Sequence, residues 1–104
     1  MTKNCAMPEE IIKIATLSDT YPLMESSDYK KRFIAEYYQT KIRYEKLKYF
    51  CNKIEAADMT MKTQPEHDCP YHLLREQQRT LGEYLHLLEV RAIIENIDLE
   101  KYKG

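Results

Sequence analysis

Glycine and proline are scarce in this chain, which has only 2 Gly and 4 Pro in 104 residues and no Trp. A turn-rich sheet protein needs more of both residue types, so the composition favours long helices. The chain also has no run of 18 apolar residues, and charged side chains interrupt residues 1–15. We therefore predict neither a membrane-spanning helix nor a signal peptide, and we expect a cytoplasmic protein with no membrane partner.

The chemistry of common active sites is missing as well. Two glycines cannot build a glycine-rich phosphate loop, and the Ser, His and Asp residues stand in no order typical of a catalytic triad. We therefore predict a binding protein rather than an enzyme, with no cofactor.

Cysteine and histidine show neither the spacing of a disulfide framework nor that of a standard zinc site. The three Cys form an odd number without framework spacing, which indicates free thiols in a reducing compartment. His67, Cys69 and His72 have side chains that bind metals, but their spacing matches no standard zinc arrangement and a fourth ligand would have to come from elsewhere. We predict no metal site.

Positive charge is concentrated in one segment, although the whole chain has a formal charge of only −1. Residues 28–55 contain eight Lys or Arg and four Asp or Glu, a formal charge of +4, whereas the segments before and after it are acidic. The low overall charge excludes a protein that coats nucleic acid by bulk attraction. The basic segment is where we expect an anionic ligand.

The N-terminal pattern predicts one short helix and a linker. Pro8 and the two glutamates after it suit a helix start and precede several apolar residues, so we predict a helix at residues 8–17. Residues 18–22 then include Ser, Asp, Thr and Pro, whose side chains compete with the helical backbone or restrict it. We interpret them as a linker.

Two long amphipathic helices are predicted in the rest of the chain. Apolar side chains recur at alternating spacings of four and three from residue 27 to about 57, and again from Pro70 to about 97. Ser26, Ser27 or Asp28 can cap the first helix. The first stripe is Phe33, Tyr37, Thr40, Tyr44, Leu47, Cys51 and Ile54, and the second is Leu74, Gln78, Leu81, Leu85, Leu88 and Ala92.

These elements predict an all-α protein built on an antiparallel two-helix hairpin. Residues 58–69 lack the helical period and form the loop of a hairpin domain at residues 28–99. An N-terminal extension with the short helix occupies residues 1–27, and residues 100–104 form a C-terminal tail. Two helices leave much of their apolar surface uncovered in a chain this short, so we expect a homo-oligomer.

Tyrosines alternate with cations along the first long helix. Aromatic rings stack on bases, and ammonium and guanidinium groups pair with phosphates, so the pattern suits a nucleotide. Tyrosines at helical spacing are also typical of side chains that pack in the protein core, and composition alone favours this interpretation over nucleotide binding. The tyrosines are Tyr29, Tyr37, Tyr38, Tyr44 and Tyr49, and the cations are Lys30, Lys31, Arg32, Lys41, Arg43, Lys46 and Lys48.

Arg91 lies beside the apolar stripe of the second helix. An arginine at such an edge marks either an interface or ligand pocket, or a surface side chain whose stem covers apolar groups. The sequence leaves both interpretations open.

The run at residues 28–47, DYKKRFIAEYYQTKIRYEKL, resembles the first helix of a family of small phage and prophage helical hairpins. That family includes anti-CBASS and anti-Thoeris proteins. The resemblance continues in the second helix and extends over residues 28–99. Its second-helix positions are Gln77, Leu81, Tyr84, Leu85, Leu88 and Arg91.

The resemblance implies a phage counter-defence protein in the cytoplasm of a host bacterial cell. Family members act as non-catalytic sponges that capture cyclic nucleotide or cyclic ADP-ribose-type immune signals, and several form oligomers with pockets between protomers. Carried over to this chain, Tyr29 stacks on a base, and Arg43 and Lys46 meet phosphates in one type of pocket. Arg91 serves a second type.

Two other functions fit the same sequence. An anti-CRISPR-type inhibitor would bind a bacterial defence protein, a nuclease, directly through acidic N-terminal and loop surfaces, and would present no small-ligand pocket. A phage assembly hairpin would use the tyrosine stripe only as an interface, and would bind neither a signal molecule nor an enzyme.

Overall fold

A computed structural model describes residues 13–104 of the protein. Two long helices dominate it, α2 at Tyr29–Met59 and α3 at Tyr71–Ile94, and a one-turn helix, α1, lies at Tyr21–Met24. Short 3₁₀ turns occupy Leu17–Thr20 and Glu100–Tyr102. The described residues contain no β-strand, so the all-α prediction is confirmed for this part of the chain.

The start of α2 is set by a side-chain cap. Asp28 has an extended backbone, and its carboxylate accepts a hydrogen bond of 2.9 Å from the backbone N–H of Lys30. This bond satisfies one of the backbone donors that a helix N-terminus leaves without a partner. Asp28 is therefore the cap among the three residues that the sequence offered.

Both long helices end with a residue in the left-handed conformation. Met61 and Asn96 each have a φ of 58°, and the N–H groups after them bond back to carbonyls of the last helical turn: Lys62 to Ala57 and Ile97 to Ala92, both at 2.8 Å. This is the Schellman arrangement, in which the chain leaves the helix direction. The predicted end of α3 at residue 97 was wrong for this reason, because Asn96 takes the left-handed turn.

Side-chain bonds between α2 and α3 confirm the antiparallel hairpin. Tyr29 donates to Glu95 at 3.0 Å, Tyr37 donates to Glu89 at 3.0 Å, and Tyr71 donates to Glu55 at 3.1 Å. Residues early in α2 thus meet residues late in α3. The predicted stripes face each other, and every member of both is buried or partly buried.

The N-terminal half of α2 is buried on a second side that the periodicity did not reveal. Ile34, Ala35 and Tyr38 lie away from α3, and the residues that cover them come from the two terminal segments: Ile14, Leu23, Ile97 and Tyr102. One continuous core therefore includes residues from both ends of the described chain.

The N-terminal predictions need correction. Residues 8–12 of the predicted helix lie outside the described residues, and residues 13–16 are not helical. The predicted linker at residues 18–22 instead forms the first 3₁₀ turn and the start of α1. The side chains expected to break a helix hold these turns, because Asp19 accepts 2.9 Å bonds from the N–H groups of Ala15 and Thr16.

The C-terminal segment packs against the hairpin. Tyr102 is buried, and its carbonyl accepts a 2.8 Å hydrogen bond from the N–H of Ile14. Ile14 also forms an isolated β-bridge with Lys103. The Tyr38 hydroxyl donates a 2.6 Å bond to the carbonyl of Leu99. The division of the chain at residues 27 and 99 stays a prediction, but the two terminal segments share the core of the hairpin.

Ile54 tests the packing between α2 and α3, since its side chain is only 2% exposed. Ile54→Ala should lower the free energy of unfolding by about 2–5 kcal/mol, because it removes buried methyl groups and leaves a cavity. Ile54→Val should cost only about 0.5–1.5 kcal/mol. Urea denaturation followed by circular dichroism measures both. Equal costs for the two variants would contradict burial as the cause.

Candidate functional site

Tyr29 and Arg91 meet at the open end of the hairpin, where α2 begins and α3 ends. The carboxylate of Glu95 joins them: it accepts a 3.0 Å bond from the Tyr29 hydroxyl and a 2.8 Å bond from Arg91 Nε. The Arg91 guanidinium also lies over the ring of Phe33, 4.8 Å from its centroid. We call Tyr29, Phe33, Arg91 and Glu95 the hairpin-end cluster.

The hairpin-end cluster is ordered and still accessible. The Tyr29 residue is 48% exposed and the Arg91 side chain 52%. Among the described residues Arg91 forms a hydrogen bond through Nε alone, which leaves the N–H groups of both Nη atoms for another acceptor. An anion with two oxygens can meet these groups without displacing Glu95.

Glu95 controls the charge of this cluster. Hydrogen bonds from Arg91 and then from Tyr29 hold the pKa of Glu95 below its ordinary value, and the bond to Glu95 raises the pKa of Tyr29. At neutral pH the carboxylate is therefore ionised and the phenol is protonated. A second carboxylate, Glu36, accepts a hydrogen bond from Tyr84 and contributes to the field at Arg91. Glu95 bonds to the guanidinium and Glu36 adds negative charge near it, so part of the positive charge of Arg91 is already offset before an anion binds.

Lys46 lies on another side of α2, at a cavity of about 300 Å³. We call it the lysine cavity. Three cations line it, one of them from the C-terminal segment, and the apolar part of its wall comes from α2 and the N-terminal segment. The lining residues are Ile14, Ala15, Tyr38, Lys41, Ile42, Glu45, Lys46, Lys103 and Gly104.

Arg43 lines neither of these places, although it stands three residues before Lys46 and so lies beside it on the helix surface. It is exposed, and its guanidinium has no hydrogen bond, ion pair or ring contact with any described residue. Fourteen residues of helix separate it from Tyr29, which corresponds to about 21 Å along the axis. The structure thus brings Tyr29 and Arg91 together, places Lys46 at a cavity and leaves Arg43 outside that cavity, next to Lys46 on the surface of α2.

Several residues of these places were missed by the sequence analysis. Glu95 had a readable signal, because it stands four residues after Arg91 on the same helix and such pairs meet. Lys41 was noted only as one of many cations. Lys103 could not be predicted as a site residue, since nothing in the local sequence pattern places it next to α2.

A second and larger groove of about 600 Å³ runs between α2 and α3 beside Tyr44. A Cβ atom at Gly82 would lie 3.1 Å from Cε1 of the Tyr44 ring, so glycine is what lets this ring pack closely on α3. The groove is lined by Tyr44, Gln78, Arg79, Gly82, Glu83, His86 and Leu87.

The histidine and cysteine residues near the hairpin loop have structural contacts. The ring nitrogens of His67 bond to the carbonyl of Cys69 at 2.7 Å and to the Gln64 side chain at 3.1 Å. Residues 13–104 contain no cluster of three His, Cys, Asp or Glu side chains placed to hold a metal. Cys51 and Cys69 are free thiols, and Cys5 lies outside the described residues.

The comparison with known families matches the hairpin itself. The profile of the Sequestin family aligns with residues 27–94, from the residue before the Asp28 cap to the last residue of α3. This chain belongs to the Sequestin family. No curated protein and no solved structure matches it.

The Sequestin match confirms the expected membership in a family of small helical proteins that sequester. The family name indicates binding rather than catalysis, and it does not state what is bound. The segments at residues 13–26 and 95–104 lie outside the match, although they complete the core. Within the described residues, no helix is both long and apolar enough to span a membrane.

The contact between Arg91 and Glu95 makes a pH-dependent prediction. Arg91→Met should raise the pKa of Glu95 toward its ordinary value of 4.5, because it removes the hydrogen bond from Arg91 that contributes most to lowering this pKa. Since the folded-state pKa is lowered, this contact stabilises the fold above about pH 4.5 and the stabilisation is lost as the pH falls through the folded-state value. A carbon-13 NMR titration of the glutamate carboxyls measures the change.

Arg79→Met is the matched control, because Arg79 pairs with Glu76 on the same helix and at an exposed position. It should leave the Glu95 titration unchanged. If Glu95 titrates alike in the parent and in Arg91→Met, the ion pair does not hold the carboxylate in solution.

Proposed function

We propose that this protein is a phage counter-defence Sequestin that captures a cyclic nucleotide or cyclic ADP-ribose-type signal of bacterial immunity and does not convert it. The observation that carries the proposal is the Sequestin match over residues 27–94, because the family name denotes sequestration. The resemblance of the same segment to anti-CBASS and anti-Thoeris hairpins supplies the class of ligand.

Cations without internal partners support an anionic ligand. Arg43 and Lys46 lie on the basic segment, and neither pairs with a carboxylate among residues 13–104. Charge-assisted hydrogen bonds contribute about 1.5–3 kcal/mol each, and stacking on an aromatic ring about 1–3 kcal/mol per base. A few such contacts are enough for micromolar affinity, which corresponds to about −8 kcal/mol.

Tyr29 and Arg91 support a second contact region at the hairpin end. The exposed Tyr29 ring can stack on a base, while the free Nη groups of Arg91 can donate hydrogen bonds to a phosphate beside Glu95. Neither task requires a nucleophile or a general base. Capture without turnover follows if the ligand is held only by stacking and ion pairing.

We further propose that the protein acts as a homo-oligomer. The outer side of α3 presents exposed apolar side chains that share one heptad position, at Leu73, Leu87 and Ile94, with Thr80 between the first two, and Leu87 is 59% exposed. Such a stripe is typical of a helix that packs against another helix. Because Tyr29 and Arg43 of one protomer are about 21 Å apart along α2, a second copy is also the way to bring these two residue types to one ligand.

The oligomer is tested by a charge on this stripe. Leu87→Glu should shift the mass measured by light scattering at micromolar concentration from a multiple of 12.5 kDa toward the single chain, because a buried unpaired carboxylate opposes association. Ala56→Glu adds the same charge on an exposed part of α2 and should leave the mass unchanged. A parent protein that is already a 12.5 kDa monomer would refute the proposal.

Ligand capture is tested by calorimetry with a panel of cyclic di- and trinucleotides and cyclic ADP-ribose isomers. The parent should bind at least one member, and heat denaturation should release it chemically unchanged. The double variant Arg43→Ala with Lys46→Ala should bind weakly or not at all, because its phosphate contacts are lost. Lys53→Ala removes another exposed cation of α2, one that lies over the Tyr49 ring, and should not affect binding.

The opposite result would support the alternative function, direct inhibition of a defence protein by an anti-CRISPR-type inhibitor. If the folded parent ignores the whole panel and instead blocks a purified CRISPR nuclease, the protein acts on a defence protein directly, and the sponge proposal is wrong.

A further inference from the structure

The lysine cavity depends on the two terminal segments, which lie outside the Sequestin match. Ile14 and Lys103 form the bridge that ties these segments together, and Lys13 Nζ donates a 3.0 Å bond to the carbonyl of Lys101. Ile14 is 3% exposed and Tyr102 6%, so apolar side chains anchor both segments on α2. The wall opposite α2 is therefore held by burial and by backbone bonds.

The α2 side of the cavity has a regular arrangement. Tyr38, Ile42 and Glu45 follow one another at spacings of four and three, so they form one row on the helix surface. Lys41 and Lys46 lie on the two flanks of this row, and Lys103 approaches from the opposite wall. An apolar floor with cations around it is the result.

The cations of the cavity lack internal neutralisation. The ammonium groups of Lys46 and Lys103 have no hydrogen bond, ion pair or ring contact in the part of the chain that the structure describes, and Lys41 Nζ lies 5.9 Å from the centroid of the Tyr37 ring. Glu45 is the one carboxylate among the lining side chains. Three ammonium groups outnumber the Glu45 carboxylate, and they would still be in excess if Gly104 carried a terminal carboxylate, so the cavity is positive and favours a bound anion.

We propose that Lys41 and Lys103 join Lys46 as ligand contacts in a phosphoester pocket that a single protomer completes. The proposal rests on the capture function proposed above and names residues that neither the family match nor the sequence pattern assigned. The ligand class is a phosphoester linked to a flat group: the lysines pair with the phosphate, and the flat group lies on Tyr38 and Ile42. About 300 Å³ is at the small end of ligand sites, so the pocket suits one nucleotide unit.

The test uses adenosine 5′-monophosphate as the probe, because it has one phosphate and one base. NMR titration of the full chain should shift the amide signals of Ile14, Ile42 and Lys103. Lys103→Ala should weaken this binding about tenfold or more, which is the loss expected for one charge-assisted contact. Lys103→Arg should restore most of it.

Lys101→Ala is the matched control, since Lys101 is two residues away and its ammonium lies over the Tyr102 ring instead of in the cavity. It should bind like the parent, and circular dichroism should show the same helix content for all variants. The pocket proposal would be overturned if millimolar adenosine 5′-monophosphate shifted only amide signals outside the cavity. Equal affinities of the parent and Lys103→Ala for this probe would also overturn it.

The two proposals can fail separately. If the parent binds adenosine monophosphate in the cavity but no member of the cyclic panel, the pocket stands and the capture function is wrong. If the parent binds a cyclic signal and Lys103→Ala binds it equally well, the capture function stands and the pocket is wrong.

Discussion

Burial of the N-terminal half of α2 on two sides is the constraint on which the rest of the structure depends. One side packs on α3, and the other holds Ile34, Ala35 and Tyr38 against the terminal segments. A hairpin of two helices alone would leave this second side in water, at a cost of roughly 25 cal/mol for each Å² of apolar surface. The terminal segments are thus part of the core, and their removal would expose it.

This constraint also separates the polar groups of the molecule. The N-terminal half of α2 is covered by α3 on one side and by the terminal segments on the other. The cations of α2 therefore lie on the edges between these two sides, or in its C-terminal half. Lys41 and Lys46 border the terminal segments, whereas Tyr29 and Glu36 border the end of α3. The two edges differ in charge, because cations dominate the first and carboxylates surround Arg91 at the second. An anion is therefore attracted more strongly to the lysine edge.

The same carboxylates give the hairpin end its order. Glu95 receives bonds from both Tyr29 and Arg91, so a stacking ring and a guanidinium are held in place before any ligand arrives. Side chains ordered in advance lose less conformational entropy on binding. For the capture that we propose, the competing charge of Glu95 favours a ligand that offers a flat group to Tyr29 in addition to its anionic group.

The sequence by itself determined the two long helices, their facing stripes and the antiparallel hairpin, because a four-three repeat and the scarcity of Gly and Pro act locally along the chain. The contact between Arg91 and Glu95 also has a local signal, since residues four apart share a helix face, although Glu95 was not predicted as a site residue. The roles of Ser18, Asp19 and Pro22 were misread, because the same side chains that interrupt a long helix also cap short turns. The end of α3 was misplaced because Asn96 turns the chain with a left-handed backbone conformation, which the apolar stripe does not reveal. Only the tertiary structure decided that Ile14 meets Lys103 and that Lys103 faces Lys41 and Lys46, since contacts between the two ends of a chain depend on how the whole core closes and leave no local period to read.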